Sequence, residues 1–119
     1  VNFAAEYEFI MGSLGSLVPR YDLNWTDDIF FDQTEGIGAL GFGGDKFPEY
    51  TLGQKAYTIH NFRLTYRAPS GQMDISGWVR NMTNTLYKST AFNASQAGDY
   101  VGQLLGDPRT YGMSVSVRF

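Results

Sequence analysis

The chain has 119 residues, no cysteine, 16% aromatic residues and a formal net charge of −3. No stretch approaches about 18 consecutive apolar residues, which excludes a transmembrane helix. The mild acidity argues against a nucleic-acid partner, for which a basic stripe would be expected. With one histidine, His60, and no carboxylate pair in a catalytic arrangement, we expect no enzyme, no cofactor and no histidine-based metal site.

The first two predicted strands cover about 1–11 and 16–31. Side chains of a strand point to opposite faces with period two. In the first strand Val1, Phe3 and Ala5 alternate with Asn2, Ala4 and Glu6, and the second strand alternates in the same way up to Trp25. The segment between them is rich in Gly and Ser, which supply the backbone angles of tight turns.

The third and fourth predicted strands cover about 57–68 and 72–87. In the third, Phe62, Leu64 and Tyr66 alternate with polar and basic residues, and the fourth alternates in the same way. The segment that joins them, 69–72, is again a short turn containing Pro, Ser and Gly.

The last predicted strand, about 109–119, alternates without error and ends on an aromatic residue. One face carries Tyr111, Met113, Val115, Val117 and Phe119. About ten residues is the length that a tilted strand needs to cross a bilayer. The edge strand of a soluble sandwich would alternate too, but strands of soluble proteins are usually about five or six residues long.

The connections alternate between short and long. The two short turns contrast with long Gly-rich connections at about 32–56 and 88–108. Outer-membrane barrels have short periplasmic turns and long extracellular loops, whereas such long connections are uncommon in compact soluble domains. The sequence therefore predicts an all-β, antiparallel up-and-down meander that crosses the outer membrane of a Gram-negative envelope, in contact with lipid.

If the short turns face the periplasm and the long loops face outward, the aromatic residues at the strand ends fall into two belts of the kind that flank a membrane. The periplasmic belt would contain Tyr7, Phe9, Tyr66 and Phe119, and the outer belt would contain Trp25, Tyr57 and Tyr87.

Five strands cannot close a membrane barrel, because bacterial barrels have at least about eight. Open edges are not tolerated in lipid. We therefore expect residues 1–119 to be the C-terminal fragment of a larger barrel, or one piece of a split barrel whose other strands come from a separate chain. The chain starts at Val1 and carries no secretion signal, so we expect Val1 to be an internal position of a longer protein.

Three segments resemble one family, the TonB-dependent outer-membrane receptors. The run from Tyr57 to Tyr66 resembles their third-last strand. The run from Met73 to Leu86, with Trp78-Val79-Arg80-Asn81-Met82-Thr83-Asn84 at its centre, resembles their penultimate strand. In this penultimate-strand run, Met82 and Asn84 stand where Leu and Asp are commoner. The run from Gly106 to Phe119 is similar to their closing strand.

The resemblance implies a transmembrane β-barrel of about 22 strands, occluded by an N-terminal plug. Such a receptor imports a scarce nutrient such as a ferric siderophore, and it is energised through TonB by its N-terminal part. This chain would supply the last five strands. The alternatives are a structural or accessory split-barrel subunit of an outer-membrane complex, or a passive porin.

The resemblance also implies roles for particular residues. The closing strand, with Tyr111, Val115, Val117 and Phe119, would be the signal read by the outer-membrane assembly machinery. Loop aromatics would either contact ligand or pack the loops against each other and over the plug; the candidates are Phe42, Phe47, Tyr50 and Tyr100. Charged residues on the inward face would pair with each other or with the plug; these are Arg20, Arg63, Arg67 and Arg80 with Glu6, Glu8, Asp22 and Asp74.

An acidic segment in the first long loop contains Asp27, Asp28, Asp32 and Glu35. Such oxygen ligands suit calcium, but the spacing of a defined calcium loop is lacking, so we expect a solvated loop face and no metal site.

Overall fold

The computed structural model describes residues 1–32, 43–94 and 100–119. In chain order the elements are β1 (Asn2–Glu6), β2 (Phe9–Ile10), a 3₁₀ helix (Gly12–Leu14), β3 (Ser16–Thr26), β4 (Ile29–Phe30), β5 (Gly53–Gln54), β6 (Tyr57–Arg67), β7 (Met73–Arg80), β8 (Lys88–Asn93), β9 (Val101–Leu105) and β10 (Thr110–Val117). Within these ranges, no helix has the length and apolar character needed to span a bilayer.

The chain divides into two compact units. We call the first the sheet unit, which consists of residues 1–25, 58–85 and 108–119. The second is the loop unit, which consists of residues 26–57 and 86–107. The loop unit thus combines the two long connections of the chain.

One antiparallel sheet forms the sheet unit, in the order β1-β3-β6-β7-β10, and β2 also pairs with β3. These five strands are neighbours in the sheet in the same order in which they occur along the chain. The long connection between β3 and β6 contains β4 and β5, and the one between β7 and β10 contains β8 and β9. The prediction of an all-β, antiparallel up-and-down meander is therefore confirmed.

The strand register gives the sheet one apolar and one polar face, because residues directly opposite each other in antiparallel strands point to the same side. Phe62 pairs with Val79, and Val79 pairs with Tyr111. The apolar face carries Phe3, Tyr21, Leu23, Phe62, Leu64, Tyr66, Ile75, Val79, Tyr111, Met113, Val115 and Val117. The polar face carries Glu6, Arg20, Asp22, Arg63, Thr65, Arg67, Asp74, Ser76, Trp78, Arg80, Ser114 and Ser116.

The first predicted strand, about 1–11, is interrupted after Glu6. Tyr7 lies opposite Pro19 and donates its N–H to the Pro19 carbonyl at 3.2 Å. Proline has no N–H to return, so the ladder loses a hydrogen bond at this point. Pairing resumes where Phe9 faces Leu17, and the predicted single strand is therefore two, β1 and β2.

The second predicted strand, about 16–31, ends earlier than expected, at Thr26. Two aspartates follow, and Asp favours local side-chain to backbone hydrogen bonds over a strand ladder. The Asp28 backbone N–H donates to the Asp27 carboxylate at 2.9 Å. β4 then pairs with β5 and belongs to the loop unit.

The fourth predicted strand, about 72–87, ends at Arg80 because Asn81 begins a tight turn. Asn81 and Asn84 have φ values of 48° and 54°, a left-handed conformation that Asn adopts more readily than most residues. The Asn81 amide is 3% exposed; its Oδ1 accepts from the Thr85 N–H at 2.8 Å and its Nδ2 donates to the Thr85 carbonyl at 2.9 Å. The segment from Asn81 to Thr85 thus forms a hydrogen-bonded turn.

The segment 88–108, predicted as a loop, contains a β-hairpin, because β8 and β9 pair antiparallel. The other predicted loop, 32–56, contains β5. A small apolar cluster organises the loop unit: Leu52 and Ala91 are 1% and 3% exposed, and Phe31, Phe47 and Val101 pack against them. Burial of apolar surface from both connections stabilises them as one unit.

Candidate functional sites

Among the four loop residues predicted to contact ligand, Phe42 lies outside the described residues. Phe47 is half-buried against the Leu52 and Ala91 cluster, so its ring supports the loop unit. Tyr50 and Tyr100 occupy different environments and are described in turn.

The Tyr50 side chain is surrounded by partners from its own unit. Its hydroxyl donates to Asp28 Oδ2 at 2.7 Å, its ring stacks on Phe30 with centroids 5.5 Å apart, and the Lys55 ammonium lies 5.0 Å from the ring centroid. The Ala56 N–H also donates to Asp28, at 2.6 Å. The hydrogen bonds from Tyr50 and Ala56 lower the pKa of the Asp28 carboxyl below its ordinary value, since they favour the charged form.

Lys88 holds the turn that begins at Tyr50. Its ammonium donates to the carbonyls of Tyr50 at 2.8 Å and Gly53 at 3.2 Å. Its backbone N–H donates to Gln54 Oε1 at 2.8 Å. Tyr50 has a φ of 61°, which is uncommon for an aromatic residue, and the charged donor stabilises this conformation by occupying its carbonyl.

Tyr100 is 68% exposed and lies next to an exposed apolar face of the β8–β9 hairpin. Phe92 faces Gly102 in the register and Leu104 faces Thr90; Phe92 and Leu104 are 56% and 58% exposed. The three side chains, Tyr100, Phe92 and Leu104, form an apolar surface of the loop unit that is available for contact.

A cleft of about 440 Å³ opens on the polar face of the sheet unit. Its charged lining residues are Glu6, Arg20, Asp22, Arg63, Arg67 and Arg80, and it also contains Trp78. The strands bring them together because the polar positions of β1, β3, β6 and β7 are in register on one side.

Ion pairs engage two of the four arginines. Arg20 Nη2 lies 3.0 Å from Asp22 Oδ1, and its Nη1 lies 3.8 Å from Glu6. Arg67 Nη1 lies 3.4 Å from Glu8 Oε1. Outside the cleft, Arg118 Nη2 lies 3.2 Å from Asp74 on the same face. The predicted pairing among inward-facing charges thus has a geometric basis at these positions.

Arg63 and Arg80 form no ion pair with the described residues. The Arg80 guanidinium instead lies 5.1 Å from the centroid of the Trp78 ring, a cation–π distance. The sequence alone predicts no role for Trp78 beyond its place in the run that resembles the penultimate strand. The signal was present, because Trp78 is an aromatic residue at a polar-face position of an alternating strand.

The proposed assembly signal lies on the exposed apolar face of β10. Tyr111, Val115 and Val117 are 82%, 56% and 52% exposed, and Phe119 follows the strand and is exposed as well. In the described part of the chain β10 pairs with β7 alone, so its other edge is open to a further strand.

The acidic segment forms no metal site within the described ranges: no group of three or more His, Asp or Glu side chains there is placed to hold an ion. Asp28 is engaged by Tyr50 and Ala56, and Glu35 is not among the described residues.

No protein-family model matches the sequence, and no curated protein matches it. Among solved structures, the chain is similar to the crystal structure of the ferric yersiniabactin uptake receptor FyuA from Yersinia pestis. The sequence identity is 21%, the TM-score is 0.74, and the match covers 99% of this chain and 16% of that receptor. The chain therefore shares its all-β antiparallel fold with one part of an uptake receptor.

Proposed function

We propose that this chain is the C-terminal barrel wall of a TonB-dependent outer-membrane receptor, a non-enzymatic importer of a scarce nutrient such as a ferric siderophore. The fold shared with part of an uptake receptor over 99% of the chain supports this assignment. The rest of the barrel, a plug and an N-terminal segment that contacts TonB would belong to the parent protein.

The observation that carries the proposal is the exposed apolar face of the sheet unit. Phe3, Tyr111 and Met113 are 57%, 82% and 75% exposed, although they lie on the side of the sheet that excludes charged residues. Soluble monomers rarely expose a contiguous apolar surface of this kind. Lipid would cover it, while the ion-paired polar face would line the lumen, which is the arrangement of a transmembrane barrel.

The aromatic residues at the strand ends agree with a membrane orientation. Tyr7 and Phe9 contact each other edge to face at 4.6 Å, near the short turns. In the loop unit, Tyr57 and Tyr87 stack with centroids 4.6 Å apart. We assign the first pair to the periplasmic belt and the second to the outer belt. Tyr100, Phe92 and Leu104 would then be available to cargo at the cell surface.

In the described part of the chain the outer edges of β1 and β10 have no partner strand, which fits a receptor barrel and equally a second candidate, a subunit of a split barrel. A sheet edge in lipid leaves backbone groups without hydrogen-bond partners, so both strands need neighbours. These neighbours would be other strands of one long chain in a receptor, or strands of a separate polypeptide in a split barrel.

The test is intact mass and peptide mapping of the protein isolated from detergent-solubilised outer membranes, followed by uptake of a labelled ferric siderophore by cells with and without TonB. Peptides that extend upstream of Val1 and uptake that needs TonB would support the receptor. A polypeptide that begins at Val1 and copurifies with another barrel chain would establish the split barrel instead. Recovery in the soluble fraction would contradict both, and TonB-independent conductance would indicate a porin.

A further inference from the structure

We propose that Arg63, Trp78 and Arg80 form a binding site for a small organic anion with a planar ring, such as an aromatic carboxylate. The inference rests on the proposed function, because it assigns the cargo, or a part of it, to this chemical class.

The strand register brings the three side chains together. Arg63 lies directly opposite Trp78 in the β6–β7 pairing. Arg80 follows Trp78 by two positions in the same strand, so all three point to the polar face. All three line the cleft of about 440 Å³, which is within the range of volumes of small-molecule sites.

The cleft carries an excess of positive charge. Four arginines line it against two carboxylates, although the whole chain has a net charge of −3. Arg20 forms ion pairs with both Glu6 and Asp22, and Arg67 forms one with Glu8, so Arg63 and Arg80 are the lining arginines that have no ion pair with the described residues, although Arg63 also interacts electrostatically with Asp22. Guanidinium groups bind carboxylates through paired, charge-assisted hydrogen bonds, so the lining favours an anion.

Trp78 provides an aromatic surface next to both arginines, since it lies opposite Arg63 in the register and its ring lies 5.1 Å from the Arg80 guanidinium. It lies directly opposite Gly112 of β10, and a Cβ atom at Gly112 would come within 2.4 Å of Trp78 Cζ2. The indole therefore rests against the backbone of β10, where only glycine leaves room for it. The Arg80 guanidinium lies over this ring, 5.1 Å from its centroid, so a planar anion would draw Arg80 into an ion pair and stack on the indole in its place.

The indole and the cleft volume favour a small planar ligand over an acidic protein segment. An aspartate or glutamate would satisfy the guanidinium groups but would make no use of an aromatic surface. An aromatic carboxylate would engage both arginines and the ring together.

The experiment is isothermal titration of 2-naphthoate into the full-length protein in detergent. Cyclohexanecarboxylate serves as a non-planar anion and 2-naphthalenemethanol as a neutral ring. Binding of 2-naphthoate should weaken about tenfold or more in Arg63→Gln and in Arg80→Gln, since a charged hydrogen bond is lost. Both comparison compounds should bind more weakly than 2-naphthoate, and affinity should fall with added salt.

Two matched controls separate the site from general effects. Arg118→Gln removes an arginine from the same face outside the cleft and should leave 2-naphthoate binding unchanged. Gly112→Ala should weaken binding of 2-naphthoate by displacing the indole, and Trp78→Leu should weaken it by removing the indole. Gly77→Ala should not, because a Cβ atom there meets no atom within 4 Å.

Equal affinity of the wild type and both arginine variants, or no binding of 2-naphthoate to wild type, would overturn the inference. Crosslinking of Arg63 or Arg80 to an acidic plug segment that blocks 2-naphthoate would overturn it in favour of a protein partner. These outcomes are distinct from failure of the proposed function, which is judged separately by membrane location and TonB-dependent uptake.

Discussion

Replacement of Gly15 by Ala should destabilise the sheet unit far more than the same change at Gly12. Gly15 has φ 91° and ψ −150°, a region that is essentially restricted to glycine and costs other residues about 1–3 kcal/mol. A Cβ atom at Gly15 would also lie 2.1 Å from the Arg67 carbonyl oxygen. Because that neighbour is backbone at the end of β6, the strand must shift, which costs about 1–3 kcal/mol more.

Gly12 is the matched control in the same turn. Its φ is 60°, and a Cβ atom there would meet no atom within 4 Å. The cost of Gly12→Ala is therefore left-handed strain alone, about 1–2 kcal/mol. The combined cost for Gly15→Ala is about 2–6 kcal/mol from the two contributions above.

The assay is urea unfolding of the full-length protein in lipid vesicles, followed by tryptophan fluorescence, with the free energy of unfolding compared among wild type and the two variants. We expect Gly15→Ala to lose clearly more stability than Gly12→Ala. Equal losses would refute the argument, because they would mean that the close approach of the turn to the Arg67 carbonyl does not exist in the folded protein.

Three further predictions concern polar contacts. Asn81→Ala should lower the free energy of unfolding by about 2–4 kcal/mol, because it removes a buried amide that forms two hydrogen bonds with the Thr85 backbone. Urea unfolding measures this change. A loss under about 1 kcal/mol, the worth of a single hydrogen bond, would contradict the prediction. Lys88→Met should speed amide exchange in the turn that begins at Tyr50, and unchanged exchange would show that the ammonium does not hold that turn. The pKa of Asp28 is lowered in the folded protein, so its bond to Tyr50 stabilises the loop unit above the ordinary pKa of 3.8 and is lost as pH falls through the lowered value. Acid should therefore speed exchange of the Ala56 amide, and Tyr50→Phe should reduce this dependence on pH; identical pH profiles would contradict it.

The main strands and short turns of the sheet could be predicted from sequence, because both leave a signal in a few consecutive residues. Alternation of side chains along β6, β7 and β10 follows from strand stereochemistry alone, and short turns follow from Gly, Pro and Ser. The strand ends were less predictable. The break after Glu6 depends on Pro19, which lies opposite Tyr7 only once the two strands are paired.

The loop unit could not be predicted in the same way. β4 and β5 are two residues long, too short to produce a period, and they pair across a long segment. Leu52 and Ala91 are adjacent only after both connections fold. Tyr50 could be selected from sequence as an aromatic residue of a long loop, but its contacts with Asp28, Phe30 and Lys55 depend on that packing.

The sequence by itself determined which residues share a face of each strand, because the peptide geometry alternates side chains regardless of their partners. Only the tertiary structure decided which faces meet across strands and which charges are neutralised. Arg20 and Arg63 have the same side chain on the same face, yet Arg20 lies opposite Glu6 and forms an ion pair with it, whereas Arg63 lies opposite Trp78. Strand register, a property of the assembled sheet, produces that difference.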